Sequence, residues 1–363
     1  MRARPGGAAA VGLAVLVLAV WLGVLGAWIA LLLHDDGISR IVWAVLGALV
    51  FWQLLPRPPR VRRRAVAVDE QEAPAVHVLV TAVAGALGCP PPQRVLLDTT
   101  YPVVALPVGY GGRSDLVIGL PQWTVLRPQE RVAAVAAALA GLDIHRTPAG
   151  AVVRIADDLL VAGRELLEPP GAVRGDRVAA GYSVSNPIAV DTFEVNRVGR
   201  SVTKNVGAAG MMALAAPLRW VQRGLLGLWR PRLVAAAHDA DARAAAVAGR
   251  EALVAVLLST VGTPLGLTAA GSAARYGRDP FDALAQAPRP DRSEYRALLA
   301  AESERTPGPG PSTAQRVEAL ERGTPGGGTA VDPTLAVRAD ADVLTLRTDF
   351  ADELADELRG VGS

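Results

Sequence analysis

The chain has 363 residues, 51% of them apolar, and its 37 basic and 35 acidic side chains leave a formal net charge of +2. Almost all the positive charge is arginine, and neither half of the chain carries a sustained basic stripe, which argues against nucleic acid as a partner. The single cysteine, Cys89, excludes an internal disulfide and a thiolate metal cluster.

Two apolar runs near the N-terminus predict a transmembrane hairpin. Residues 8–33 contain no charged side chain and exceed the roughly 20 residues that a helix needs to cross the hydrocarbon core. The second run, residues 41–55, is shorter and suffices only if the flanking Arg40 extends to the interface. A cleavable signal peptide is the competing interpretation, but the first run is too long for its apolar region. Residues 1–64 are therefore predicted to form a hairpin in the lipid bilayer with a basic flank.

The placement of arginine predicts the orientation of this hairpin. Arginines precede the first run and follow the second, and the positive-inside rule then places both ends in the cytoplasm. The expected protein is multi-pass in the cell membrane, with residues 65–363 as a cytoplasmic domain. The flanking arginines are Arg2, Arg4, Arg57, Arg60, Arg62, Arg63 and Arg64.

The domain at residues 65–363 begins with signals for helices and short strands. Proline and glycine positions predict a helix at 74–87 that ends at Gly88, and a buried helix over 128–144. Between them, strand-like segments predict a small sheet, with a glycine-rich hairpin turn at 109–112. The expected fold class is α+β and mainly helical. The three strands are predicted at residues 94–98, 103–108 and 115–120.

Residues 155–167 have an amphipathic pattern that predicts a helix lying on the surface of the domain. Two adjacent aspartates on this helix point about 100° apart, so they are interpreted as solvated residues and not as an acid and base pair. Residues 168–200 are rich in Pro, Gly, Ser and Arg and predict a long loop. The solvated side of the helix is expected to carry Asp157, Asp158, Arg164 and Glu165.

Two later apolar segments predict further membrane-associated helices. The segment near 206–229 is too short to span and is expected at the interface. The segment near 252–274 is long enough to span, but its glycine and proline residues favour a buried helix followed by a turn. Beyond Arg278 the chain is predicted to be loop-like, apart from helices at 313–322 and 349–359.

One stretch of sequence resembles a known enzyme family. The run VIGLPQW at 117–123, followed by PQERV at 128–132, is similar to the approach to the active-site helix in HtpX-like, CAAX-prenyl-protease-type membrane zinc metallopeptidases. The resemblance covers roughly residues 74–359 and implies a zincin-like metallopeptidase domain after the membrane hairpin. It also implies that the strand before the helix is a sheet edge, where a peptide substrate adds by β-augmentation.

The zinc-binding motif of that family, H-E-x-x-H, is absent from this chain. In the family the two histidines project from one helix face to a single Zn²⁺, and the glutamate acts as general base. In an alignment on Pro128 and Glu130, these three positions hold Ala137, Ala138 and Gly141. The chain therefore lacks the histidine ligands and the catalytic base.

The third zinc ligand of the family is also missing. It is a glutamate in a later E-x-x-A-D segment, which residues 237–241 of this chain resemble with Ala237 at the ligand position. The resemblance implies that Asp241 once oriented a zinc-binding histidine. Without that histidine, Asp241 is interpreted as a cap or an ion-pair partner. Residues 311–316 resemble a further family segment that also lacks its histidine here.

The leading functional hypothesis is a catalytically inactive pseudopeptidase. Such a protein would bind no zinc, although zinc is the cofactor of the family, and would have a binding or regulatory role toward a peptide or a membrane-protein partner. The alternative is an active membrane zinc endopeptidase with a relocated metal site at His145, His238 and Asp239. A structural or transport subunit is a third possibility, but no ionisable residue marks a pathway within the predicted hairpin.

Overall fold

A computed structural model gives the protein as predominantly helical with one small mixed sheet, in agreement with the predicted class. It describes residues 5–34, 37–54, 65–108, 113–167, 208–304, 310–323 and 330–361. In chain order the elements are α1 (Pro5–His34), α2 (Ile38–Leu54), β1 (Val66–Val68), α3 (Pro74–Leu87), β2 (Arg94–Asp98), β3 (Val104–Val108), β4 (Arg113–Gly119), α4 (Leu120–Val125), α5 (Pro128–Ala140), α6 (Asp143–Arg146), α7 (Pro148–Leu167), α8 (Ala208–Ala248), α9 (Arg250–Val261), α10 (Thr263–Arg275), α11 (Pro280–Gln286), α12 (Arg292–Glu304), α13 (Thr313–Arg322) and α14 (Pro333–Val361).

Contacts divide the chain into two compact units. The first unit contains α1, α2, α7 and the part of α8 that ends at Arg232. The second unit contains the sheet with α3, α4 and α5, and the described elements from Leu233 onward. The helices that belong with α1 therefore come from three separate stretches of the chain.

Helix α1 is apolar over its whole length. Among the described residues it is the one helix that is long and apolar enough to cross a bilayer, over Gly7–His34 with a mean hydropathy of 2.6. The bent pair Arg250–Val261 and Gly266–Arg275 would count as a second if it formed one broken span. Helix α2 has 17 residues, and the second crossing expected there stays a prediction.

Asp157 and Arg164 of α7 are buried, which corrects the prediction that they face solvent. Their exposed fractions are 1% and 4%. The Gln222 amide of α8 donates to Asp157 Oδ1 at 2.8 Å and accepts from Arg164 Nη1 at 2.7 Å. The prediction failed because the polar side of α7 meets a polar residue of another helix, while Leu166 on the opposite side is 44% exposed. The buried side of α7 also carries Val153, Ala156, Leu160 and Val161, so the two charged residues belong to an otherwise apolar buried face.

The sheet of the second unit has the strand order β1-β2-β4-β3. Strands β2 and β4 are parallel, while β1 and β3 pair antiparallel to their neighbours. Leu116 and Ile118 of β4 are fully buried in the main core of this unit. Strand β4 therefore lies inside the sheet. This corrects the expectation that the strand before α5 is an edge, and the reason is that β3 pairs along its outer side.

Helix α5 lies in the centre of the second unit, as its closely spaced apolar residues predict. It packs against α3, α9, α14 and β3, and its residues Val132–Ala136 are all buried. It ends at Ala140, earlier than predicted, because Gly141 caps it and Leu142 separates it from α6. Glycine is a poor residue for continuing a helix, which accounts for the earlier end.

The sequence predicts helix bounds correctly where capping residues mark both ends of the helix. It misses helices in which one or both ends lack such residues. Helices α3 and α13 have the predicted bounds, and Gly88 closes α3 in the left-handed conformation with φ 66°. Helices α4, α11 and α12 occupy segments predicted as turn or loop, and α8 is a 41-residue helix instead of a short one. The turn predicted at 109–112 and the loop predicted at 168–200 lie outside the described residues.

Gly119, at the end of β4, lies very close to the backbone just before β3. A Cβ at this position would lie within 3.0 Å of the backbone carbonyl oxygens of Thr100, Tyr101 and Pro102, and rigid backbone cannot move aside cheaply. We expect Gly119→Ala to lower the free energy of unfolding by about 3 kcal/mol. Gly85→Ala is the matched control, since nothing lies within 4 Å of its Cβ position. That control should stabilise α3 slightly, and circular dichroism during thermal unfolding distinguishes the two results.

Candidate functional site

The start of α5 is held in place by the Glu130 carboxylate. Its Oε2 accepts the backbone N–H of Arg127 at 2.7 Å, which satisfies a free donor at the helix N-terminus. Arg289 donates to both carboxylate oxygens, at 2.9 and 3.0 Å, and also to the Val125 carbonyl at 2.6 Å. This bidentate pair fixes the junction between α4 and α5.

A second cluster joins the same junction to the C-terminal helix α14. Arg131 makes an ion pair with Asp340 at 2.9 Å and lies over the Trp123 ring, 5.4 Å from its centroid. The Trp123 indole N–H donates to Asp340 Oδ1 at 3.2 Å, so the three side chains close a ring of contacts. Burial lowers the pKa of Arg131, and the Asp340 carboxylate opposes that shift.

The three positions aligned with the H-E-x-x-H motif, at the end of α5 and just after it, have no side-chain atom that binds a metal. Ala138 is 1% exposed and belongs to the main core, and Ala137 packs against that core. Gly141 donates its backbone N–H to the Ala137 carbonyl at 3.1 Å as part of the helix end. Because methyl groups and a glycine offer no ligand, this helix face does not fit Zn²⁺.

Asp241 on α8 forms a buried ion pair, which confirms its interpretation as an ion-pair partner. Arg316 donates from Nε to Oδ2 at 2.8 Å and from Nη2 to Oδ1 at 2.6 Å. The two side chains are only 3% and 6% exposed. This fork-to-fork geometry joins the 237–241 segment to the 311–316 segment, and the sequence patterns did not predict that Arg316 would be the partner.

Local capping explains how Arg316 reaches Asp241. The Ser312 hydroxyl accepts the backbone N–H of Gln315 at 3.2 Å, and the Gln315 side chain accepts the Ser312 N–H at 3.1 Å. This capping box begins α13 at a defined residue. The Thr313 hydroxyl donates to Glu302 of α12 at 2.8 Å, which fixes the helix start against a neighbour. Arg316 therefore lies one turn into a rigid helix.

Helices α5 and α8 are linked at two further points. Arg243 donates to Asp143 at 2.5 Å and to the carbonyl of Ala140 at 3.1 Å, just beyond the end of α5. At the start of α5, Gln129 donates to the Ala248 carbonyl at 2.6 Å. Ala237, which the sequence comparison places at the family's glutamate ligand, is 2% exposed. The helices that would carry the family's ligands are thus neighbours in this fold.

The residues of the alternative metal site have mixed surroundings. His145 and His238 are partly buried, and Asp239 is exposed. Burial, followed by the nearby Arg154 charge, lowers the pKa of His145 to about 4, so it is neutral at pH 7. Over the described part of the chain, no group of three or more His, Cys, Asp or Glu side chains is arranged to hold a metal ion.

The sheet edge offers little to an incoming peptide strand. The edge next to β4 is β3, and this strand contains Pro107, which has no backbone N–H to donate. Immediately before β3, the Val103 N–H is already bonded to Gln122 Oε1 at 2.8 Å. Such features limit strand addition at an edge, so β-augmentation is not favoured at β3.

The Asp241–Arg316 pair should be important for stability because each charge is buried and hydrogen-bonded by the other. We expect Arg316→Met to lower the free energy of unfolding by about 3–5 kcal/mol, since it leaves a buried carboxylate uncompensated. Arg322→Met in the exposed Glu318–Arg322 pair of the same helix should cost less than about 1 kcal/mol. Denaturant unfolding of both variants measures the difference. Equal effects would contradict the proposed importance of the buried pair.

The lowered pKa of His145 predicts a distinctive titration. We expect one of the four histidine ring signals in an NMR titration to stay unchanged from pH 8 to 5.5, and His145→Gln should remove that signal. The unfolded chain binds this proton near pH 6.5, whereas the folded chain binds it only near pH 4. Acidification between those values should therefore lower the stability of the fold. Four histidines that all titrate near pH 6.5 would contradict this prediction.

Comparisons with known proteins return no match: no family model, no curated protein and no solved structure is similar to this chain at a significant level. What the site does must then be inferred from its own residues and contacts.

Proposed function

We propose that this protein is a membrane-anchored, zincin-like relative of the HtpX-like zinc metallopeptidases that has no metal site and serves a binding or regulatory role. The observation that carries the proposal is the pairing of Asp241 with Arg316. It joins two segments that each resemble a part of the family's active site. In the family the aspartate would orient a zinc-binding histidine, and here an arginine takes its two oxygens.

The composition of α5 supports the loss of hydrolytic activity. In a zinc peptidase the metal lowers the pKa of a bound water and so supplies the nucleophile. The four positions at issue hold Ala137, Ala138, Gly141 and Ala237, none of which has a donor atom. The rest of the helix still packs as a central core element. A fold kept without its reactive groups can still present a surface to a partner.

The position of a bound partner should differ from that of a peptidase substrate. Strand β4 is inside the sheet, and the neighbouring edge β3 is poor in free donors at Val103 and Pro107. A partner is therefore expected to bind by side-chain contacts and not by adding a strand. A membrane-protein partner fits this mode better than an extended peptide.

The membrane part of the proposal extends the properties of α1. We place α1 and α2 as a hairpin in the bilayer, with the second unit in the cytoplasm. The apolar surface of α1 supports this placement, since Leu22 and Leu33 are 68% and 74% exposed. The indole N–H of Trp28 in α1 donates to the Trp43 carbonyl in α2 at 3.0 Å, which supports a closed hairpin.

Restoring the lost ligands tests the descent and the lost activity together. We expect the unmodified protein to contain no stoichiometric zinc and to leave unfolded casein intact. The variant Ala137→His, Gly141→His, Ala237→Glu should bind one zinc per chain, and the addition of Ala138→Glu should provide the base needed for cleavage. Elemental analysis and a casein assay in detergent measure these results.

The matched control moves one ligand by a single residue. Replacing Ala237→Glu by Ala236→Glu keeps the composition but turns the carboxylate about 100° around α8, so zinc binding should be lost. A folded three-ligand variant that binds no zinc would contradict the relationship to the family. Zinc in the unmodified protein, with cleavage lost in His145→Ala and His238→Ala, would favour the active endopeptidase instead.

A further inference from the structure

In the first unit, α1 and the first part of α8 lie side by side and run in opposite directions. A Cβ at Gly7 would meet the side chain of Arg232, and a Cβ at Gly224 would lie 3.9 Å from Leu13 Cδ2. Further along, Trp21 and Leu218 both lie close to Gly163 of α7, since a Cβ there would be within 3.7 Å of each. Residues that come later in α1 therefore lie beside residues that come earlier in α8.

The surface of α1 changes along this contact. Ala10 and Ala14 are fully buried, and most of the α1 residues before Leu13 are glycine or alanine. From Val15 onward α1 exposes large apolar side chains to the end of the helix, beginning with Val15 and Leu16 at 51% and 58%. Residues 15–34 provide about the 20 residues that cross a hydrocarbon core. The residues of α1 before Val15 are therefore not needed to cross the hydrocarbon core.

Helix α8 changes in character at the matching level. Residues 208–218 contain no charged side chain, whereas the next 14 residues of the helix, 219–232, include four arginines. Trp220 stands at this change and is 72% exposed. Gly224 of α8 lies near Leu13, and Leu218 lies near the same residue of α7 as Trp21. Along the axis of α1, Trp220 is therefore between Leu13 and Trp21. A tryptophan at the end of an apolar segment is typical of the membrane interface.

Two of these arginines face the same way as Trp220. Arg223 and Arg230 are exposed and lie seven residues apart, on the side of α8 that carries Trp220. Guanidinium groups bind phosphate oxygens in a bidentate manner. Near an anionic membrane, each basic residue also adds to the attraction for the surface.

We propose that the bilayer surface meets the first unit at the level of Trp220, and that Arg223 binds the phosphates of anionic phospholipid headgroups there. Arg230 lies about 15 Å farther along α8 and adds to the attraction for the anionic surface from a greater distance. Helix α1 then enters the hydrocarbon near Val15, and residues 208–218 of α8 enter beside it. The arginines of α8 lie on the same side of the bilayer as the N-terminus of α1, which agrees with the cytoplasmic orientation. The inference rests on the membrane anchoring in the proposed function, but not on descent from a peptidase.

Depth-dependent quenching tests where Trp220 lies. In a Cys89→Ser background, the full chain carries a single fluorescent label at Trp220→Cys, at Val24→Cys in α1 or at the exposed Tyr276→Cys of the second unit. In proteoliposomes we expect label 220 to be quenched mainly by headgroup-attached quenchers and label 24 mainly by acyl-chain quenchers. Label 276 should be quenched by iodide from the water.

The outcomes separate this inference from the anchoring on which it depends. If label 220 behaves like label 276 while label 24 stays in lipid, the protein is anchored but the proposed surface level is wrong. Quenching of label 220 mainly by acyl-chain quenchers would also overturn that level. If label 24 is accessible to iodide as well, the membrane anchoring itself fails.

Lipid selectivity tests the two arginines. We expect the anionic lipid that copurifies from a mixed phosphatidylglycerol and phosphatidylcholine membrane to be enriched around the wild-type protein. The enrichment should fall about fivefold in Arg223→Gln and by a smaller factor in Arg230→Gln, because the attraction to the surface decreases with distance. The matched control, Arg322→Gln with Arg338→Gln, removes two exposed arginines of the second unit and should leave the enrichment unchanged. An equal loss in both pairs, or no loss in either, would overturn the proposal.

Discussion

The buried ion pair between Asp241 and Arg316 connects two helices of the second unit. Each charge has lost most of its contact with water, with side chains 3% and 6% exposed, so each depends on the other for compensation. The pair joins α8 to α13, and α13 packs against α9, which in turn packs against α5. This electrostatic contact thereby helps to fix the relative positions of α5, α8, α9 and α13. The unit is held together at this place by charge pairing.

Buried polar side chains also connect two helices of the first unit, here through a neutral amide. Gln222 is neutral, but it accepts from Arg164 and donates to Asp157 Oδ1, so its amide lies between two opposite charges and hydrogen-bonds to each. Buried polar groups of this kind are costly unless every member finds a partner, which favours one rotation of α7 against α8. Both units therefore use a few buried polar contacts to choose among the many ways in which alanine-rich and leucine-rich helices could pack. Apolar contacts alone would discriminate less well between these arrangements.

The sequence predicts those features whose causes are local. Proline at the start and a left-handed Gly88 at the end define α3, and the Ser312 capping box defines α13. The burial of Asp157 could not be predicted, because its partner Gln222 lies 65 residues away in the chain. For the same reason, the interpretation of Asp241 as an ion-pair partner was possible from the sequence, but the identity of Arg316 was not. The sheet order was also inaccessible, since strand periodicity gives faces and not neighbours.

The alanines of α5 have a consequence for how this helix can vary. Because α5 is enclosed by α3, α9, α14 and β3, its side chains must fit a space shaped by its neighbours, with packing close to that of an organic crystal. Selection on this helix then acts on volume and not on chemical reactivity. At the buried positions only small apolar residues would then be tolerated, while an added ring or branched chain would not fit and a polar group would be costly without a partner. The packing around α5 can thus constrain its sequence strongly, whatever the chemistry of its side chains.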